Sequence, residues 1–289
     1  MGRVRDGLAK GAGGTGPEVE PIQSERLIER GQAARKEEHG MPGKLDGRVA
    51  VITGGGSGLG ESTARIFAAE GAKVVIADIN LEAGEGVVRS LRDSGTEALF
   101  VKTNVSSATD ARNLMAAAVA RFGRIDILIN NAGVQVEKAV PETTEEDWDF
   151  VLGVNLKGPF LCSKYAIRQM RKQKSGNIVC ISSLSGVVSN AEQASYNASK
   201  HGLIGLAKCM AHDHALEGIR VNTVCPGSMN TPMLDGVPEE HLAPYRKSNL
   251  LERFADPHEV ANCILFLVSD DASFVTGAVL VADGGYTTK

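Results

Sequence analysis

The chain has 289 residues, 43% of them hydrophobic and 23% charged, with a formal net charge of −4. That length and apolar content suit one large α/β domain with a substantial core, and interspersed acids and bases give no basis for capturing nucleic acid or an anionic membrane surface. The longest apolar stretches, such as 74–77 and 263–268, fall far short of the roughly 18 residues of a membrane span.

Five cysteines, Cys162, Cys180, Cys209, Cys225 and Cys263, are widely spaced, odd in number and without a C-x-x-C pair. This is the pattern of reduced core thiols in a cytoplasmic protein. No metal site is expected, because His212 and His214 lie two apart, about 200° round a helix.

Residues 1–44 read as an extension. Positions 11–16 are Gly-rich without an apolar period, and 24–39 are charged, at best a short helix from Ser24. Across 1–40 seven basic residues face seven acidic ones. The segment lacks the apolar stretch of a secretory signal, and its acids and scarcity of Ser argue against a transit peptide. A flexible, solvated arm is expected; the alternative is a clasp on a neighbouring subunit through Ile22, Leu27 and Ile28.

Beyond it, apolar runs alternate with helical patterns. Strands are predicted at 48–53, 73–78, 98–102, 125–130, 176–181, 220–225 and 278–282. Helices are predicted at 59–70, 81–94, 108–122, 145–173, 196–217 and 257–268. Near-continuous Val/Ile/Leu runs imply strands covered on both faces, hence an α/β fold with a doubly wound parallel sheet of about seven strands and helices on both faces. Ligands of such sheets bind at the carboxyl ends of the strands. Thr53, Asp78, Asn104, Asn130, Ser183 and Pro226 all fall at or just past those ends.

The first of these places carries Thr53-Gly54-Gly55-Gly56-Ser57-Gly58-Leu59-Gly60 between a strand and a helical pattern. Glycines let the backbone approach a pyrophosphate, and the following helix aims its amides at the anion. The pattern G-x-G-x-x-G fails at every register, and a P-loop fails because Glu61 stands where Lys is required. What matches is T-G-x-x-x-G-x-G, ending eighteen residues before Asp78, whose carboxylate is placed to accept hydrogen bonds from an adenosine ribose diol.

A second motif asks for alcohol chemistry. Tyr196 is the only one of four tyrosines with a lysine, Lys200, four places on, one helical turn away on the same face. An ammonium beside a phenol favours the phenolate, so Tyr196 is fitted to exchange a proton with an alcohol oxygen. The plain alternative is a solvated helix edge.

Together with Asn130-Asn131-Ala132-Gly133, Asn155, Ser183 and Pro226-Gly227 followed by Thr231, these motifs make the chain resemble the short-chain dehydrogenase/reductase family over residues 45–289. The resemblance implies a Rossmann-type NAD-binding catalytic domain and a catalytic tetrad of Asn155, Ser183, Tyr196 and Lys200, the serine lying thirteen residues before the tyrosine. It implies cofactor contacts from Gly54, Ser57, Gly58, Leu59, Gly60, Asp78, Asn104, Val105, Asn131, Tyr196, Lys200, Met229 and Thr231. Asn104 departs from the Asp that many members carry there. Lys200 is expected to bias Tyr196 and hold the nicotinamide ribose, and Ser183 to hydrogen-bond the substrate oxygen. Asn155 is expected to support a water that leads protons from Lys200 to solvent, the alternative being a surface polar residue. The family further implies a homotetramer through helices 145–173 and 196–217, which carry more apolar residues than one stripe needs.

NAD is expected over NADP, because a 2′-phosphate needs a nearby cation whereas Asp78 is followed by Ile79 and Asn80, and the turn offers only Gly56 and Ser57. The segment that covers the substrate in the family runs here through Met229, Met233, Leu234, Val237, Leu242 and Tyr245, interrupted by Pro232, Pro238 and Pro244. Such a lid suits an alicyclic, steroid-like or acyl substrate, unless these side chains pack on its own underside. The expected activity is hydride transfer between NAD(H) and a secondary alcohol or ketone. The alternatives are a 3-oxoacyl reductase, a catalytically silent NAD-binding regulator on the same fold, and a non-redox epimerase or dehydratase.

Overall fold

The computed structural model describes residues 42–232 and 238–288; residues 1–41 of the expected arm, its clasp residues among them, and Met233, Leu234 and Val237 of the lid lie outside the described residues. Seven strands, Val49–Thr53 (β1), Lys73–Asp78 (β2), Ala98–Lys102 (β3), Ile127–Asn130 (β4), Gly176–Ile181 (β5), Ile219–Pro226 (β6) and Val279–Ala282 (β7), form one sheet. All pairs are parallel and the order is β3-β2-β1-β4-β5-β6-β7, so the winding direction reverses between β1 and β4.

The helices among the described residues are Gly58–Ala69 (α1), Leu81–Asp93 (α2), Ala108–Phe122 (α3), Glu145–Leu152 (α4), Gly158–Gln173 (α5), Ala194–His214 (α6), Glu239–Lys247 (α7) and Pro257–Val268 (α8). Period-two alternation explains the unbroken apolar strands. In β1, Ala50 and Ile52 join a core shared with α1 and α8, while Val49 and Val51 join one shared with α3, α5 and α6.

Three expectations need correction. The segment 145–173 is not one helix: a π-turn, Gly153–Lys157, separates α4 from α5. The helix expected at 196–217 begins at Ala194 and ends at His214, followed by the 3-10 turn Ala215–Glu217. The lid contains α7, which Pro244 concealed; it sits inside a nine-residue helix, where it removes one backbone donor.

Cys162 and Cys180 are buried, and burial pushes both thiols up to about 12, so they stay protonated near neutrality. Cys225 is buried as well, but Cys209 is exposed, contrary to its expected core position. Among the described residues no helix is long and apolar enough to cross a membrane.

Candidate active site

At the β1/β4 reversal, Thr53 ties the ends of the two strands together. Its hydroxyl donates to Ile129 O (3.2 Å) and accepts from the amides of Asn131 (3.0 Å) and Ala132 (3.2 Å). Asn131 reciprocates, its Nδ2 donating to Thr53 O (3.0 Å) and Gly54 O (2.9 Å). Asn131 thus braces the glycine turn.

Side chains are excluded at two positions of that turn, Gly60 and Gly56. A Cβ on Gly60 would stand 2.1 Å from Gly54 O, and one on Gly56 would stand 2.9 Å from Asp78 Oδ2. Gly58 opens α1 at φ +54°, a left-handed value that glycine adopts without strain. Ser57 is the residue before the helix, yet its side chain caps none of the first amides. A backbone cradle with an uncapped helix start suits a pyrophosphate.

Asp78, at the end of β2, is fixed before any ligand arrives. Its Oδ2 accepts from Gly56 N and its Oδ1 from Asn80 N, each at 2.9 Å. No cation follows it, and Ile79 stays 65% exposed. Thr231 stands opposite the turn, with Cγ2 3.6 Å from where a Gly58 Cβ would be. Met229 is held by a bridge to Ala255 and packs on the core beneath. Val105 is buried, whereas Asn104 is exposed and its Oδ1 accepts from Ser106 N (3.1 Å) and Ser106 Oγ (2.7 Å).

On the other side of the crevice, the first turns of α6 carry Tyr196 and Lys200. The Lys200 ammonium is buried at 4% exposure, 5.4 Å from the centre of the Tyr196 ring, and donates to Ile181 O (3.0 Å). This is no solvated helix edge. Among the described residues no ion pair joins a carboxylate to this charge, whose neighbours are the Tyr196 ring and the Ile181 carbonyl. Ser183 opens the 3-10 turn Leu184–Gly186, its Oγ accepting from Ser185 N at 3.1 Å.

Asn155 lies in the π-turn and is 1% exposed, which rules out the surface reading. Its Oδ1 accepts from Val134 N (2.9 Å), and its Nδ2 donates to Val134 O (2.8 Å) and Ser199 Oγ (3.2 Å). Such π-turns aim a side chain where a regular helix would not. A Cβ on Gly133 would lie 3.5 Å from Lys200 Nζ and 3.6 Å from Asn155 Oδ1, so both groups border the space over that glycine.

Two supporting hydroxyls escaped the sequence reading. Ser199 Oγ donates to Tyr196 O (2.8 Å) while receiving Asn155, and Ser182 Oγ donates to Lys200 O (2.9 Å). Their only signal was adjacency to Lys200 and Ser183. Among the described residues no group of three or more His, Cys, Asp or Glu is placed to hold a metal ion.

Comparison with known proteins is consistent with this geometry. Residues 54–287 match the family model described as enoyl-(acyl carrier protein) reductase. The cis-4-hydroxycyclohexanecarboxylate dehydrogenase of Sinomonas cyclohexanicum is 45% identical over 241 residues, 83% of this chain and 96% of that protein. A 3-oxoacyl-[acyl-carrier-protein] reductase of Thermotoga maritima is 40% identical over 242 residues, 84% of this chain and 98% of its own. The crystal structure of levodione reductase superposes with a TM-score of 0.82 at 35% identity, covering 84% of this chain and 99% of that one.

Proposed function

Because the chain belongs to the short-chain dehydrogenase/reductase family of oxidoreductases, we propose that it catalyses hydride exchange between NAD(H) and a secondary alcohol or its ketone, with residues 45–289 as the catalytic domain and 1–44 as an extension. The observation that carries this reading is the buried Lys200 ammonium 5.4 Å from the Tyr196 ring. NAD, when bound, supplies the hydride acceptor. Gly54, Ser57, Gly58, Leu59 and Gly60 cradle its pyrophosphate, and Asp78 holds the adenosine ribose and repels a 2′-phosphate. Asn104, Val105, Asn131, Met229 and Thr231 line the remainder of its cleft.

Tyr196 takes the proton from the substrate hydroxyl in oxidation and returns it in reduction. Lys200 sets its positive charge beside the Tyr196 ring and reaches the nicotinamide ribose. Ser183 donates to the substrate oxygen and opposes the build-up of charge on it. Asn155 and Lys200, facing each other over Gly133, hold the water through which the proton leaves.

An alicyclic alcohol is the favoured substrate class. The apolar residues Met229 and Leu242 of the lid segment, and relatives named for a hydroxycyclohexane carboxylate and for levodione, support that choice. A 3-oxoacyl thioester is the second reading, favoured by the 40% identical Thermotoga reductase. A homotetramer in the cytoplasm completes the proposal; an open groove of about 660 Å3 lined by Leu152, Leu156, Phe160 and Leu206 offers an apolar face to a second copy. The purified protein is to be screened at 340 nm against cyclic and acyclic secondary alcohols with NAD and NADP in parallel. Turnover of cyclic alcohols with NAD is expected; turnover of none, with either cofactor, overturns the reading.

A further inference from the structure

The loop between Ser183 and Tyr196 carries a residue that neither the tetrad nor the cofactor cleft accounts for. Asn190 Nδ2 donates to Ser185 Oγ (2.7 Å), the hydroxyl of the turn that Ser183 opens, and Ser185 N in turn donates to Ser183 Oγ (3.1 Å). From the other side, Asn197 Nδ2, next to Tyr196, donates to Asn190 O at 2.8 Å. Asn190 therefore touches both neighbours of the proposed proton-handling pair. One acceptor remains, and Asn190 Oδ1 receives the hydroxyl of Tyr286 (3.3 Å), ninety-six residues away.

Tyr286 belongs to a turn that is itself tied down. Asp283 Oδ1 accepts from Gly285 N (2.9 Å) and Asp283 Oδ2 from Thr287 N (2.8 Å). Gly284 O accepts from Leu250 N (2.8 Å) and Leu251 N (3.3 Å), the segment that leaves α7 of the lid. The turn 283–288 is thus bonded to the lid segment on one side and to the loop of Ser183 on the other.

We propose that Tyr286 and Asn190 are positioning residues for the reaction: the C-terminal turn, through the Tyr286 hydroxyl, fixes the Asn190 amide and with it the placement of Ser183 against Tyr196. This rests on the roles given to Ser183 and Tyr196 above. An amide that donates at one end and accepts at the other has one satisfied orientation, and without the phenol donor it is free to rotate away from Ser185. Neither Tyr286 nor Asn190 is among the residues assigned to the cofactor, so NADH affinity serves as the control.

The full chain is compared with Tyr286→Phe, which keeps the ring and its packing, and with Asn190→Ala and the double variant. Expected in Tyr286→Phe is a fall in kcat of about five- to tenfold, the worth of one such bond, with the NADH dissociation constant unchanged by fluorescence titration. The double variant is expected to be no slower than Asn190→Ala alone. Amide hydrogen exchange over 184–197 is expected to quicken in Tyr286→Phe while that over α1 stays constant. Wild-type kcat in Tyr286→Phe, multiplying effects in the double variant, or unchanged exchange over 184–197 overturns the proposal. A wild-type protein that turns over no alcohol refutes the catalytic reading instead, and the exchange measurement, which needs no substrate, still decides the role of Tyr286.

Discussion

At the scale of single residues, the Lys200 ammonium lies beside the Tyr196 ring and a backbone carbonyl rather than a carboxylate. Tyr196→Phe is expected to lower turnover at least about a hundredfold, the usual worth of a positioned acid or base, while NADH binds as before in a fluorescence titration. Asp78→Ala is expected to cut the NAD-to-NADP ratio of kcat/KM by about tenfold or more, since it loses charge-assisted bonds to the ribose diol and the repulsion of a 2′-phosphate. The ratio is the diagnostic quantity, because the same substitution also frees Gly56 N and Asn80 N; an unchanged ratio counts against the assignment. Asp78, Tyr196 and Lys200 were legible in the sequence because each sits in a short window with a local reason for its spacing. Ser199 holding Asn155 across forty-four residues, and Tyr286 reaching Asn190 across ninety-six, leave no such local trace.

Among the elements, the strands were readable because both faces are buried and the apolar runs are unbroken, whereas the π-turn at Asn155 was not, because it keeps helical composition while shifting the register by one residue. The start of α8 was legible to the residue, and the structure closes it with a capping box, Asp256 with Glu259, and Pro257 in the first turn. That box has a pH signature. The Arg253 guanidinium bonded to Glu259 brings its carboxyl from 4.5 down to about 2. A carboxylate depressed in the folded state adds stability that is present above its ordinary value of 4.5 and is lost as pH falls from there toward about 2. The pair is half exposed, so the contribution is only about 0.2–1 kcal/mol. Glu259→Gln is accordingly expected to flatten the fall in melting temperature between pH 5 and 3 while leaving catalysis at neutral pH intact. Parallel acid profiles for the two proteins refute this.

For the whole molecule, the apolar side chains left at the surface of the described residues include two sets on opposite layers of the sheet: Trp148, Phe150 and Phe160, 41–53% exposed, on α4 and α5, and Phe266 and Phe274 on and just beyond α8. Two separate faces are what a dihedral tetramer buries, and light scattering at micromolar concentration is expected to give four times the chain mass of 30.5 kDa. A monomeric mass refutes it. Deleting residues 1–40 is expected to leave kcat and NAD affinity nearly unchanged, because every group assigned to the chemistry lies at Gly54 or beyond and the core already begins at Leu45, which is fully buried. Lys44 and Arg48 also remain to pair with Asp271 and Asp270 beyond α8, so the truncated chain keeps the ties between its first strand and its last helix. If Ile22, Leu27 and Ile28 instead clasp a neighbouring subunit, the truncated protein melts lower and scatters as a smaller particle with kinetics per chain preserved. A large fall in kcat with the tetramer intact contradicts both accounts, since it places a group needed for turnover among the residues removed.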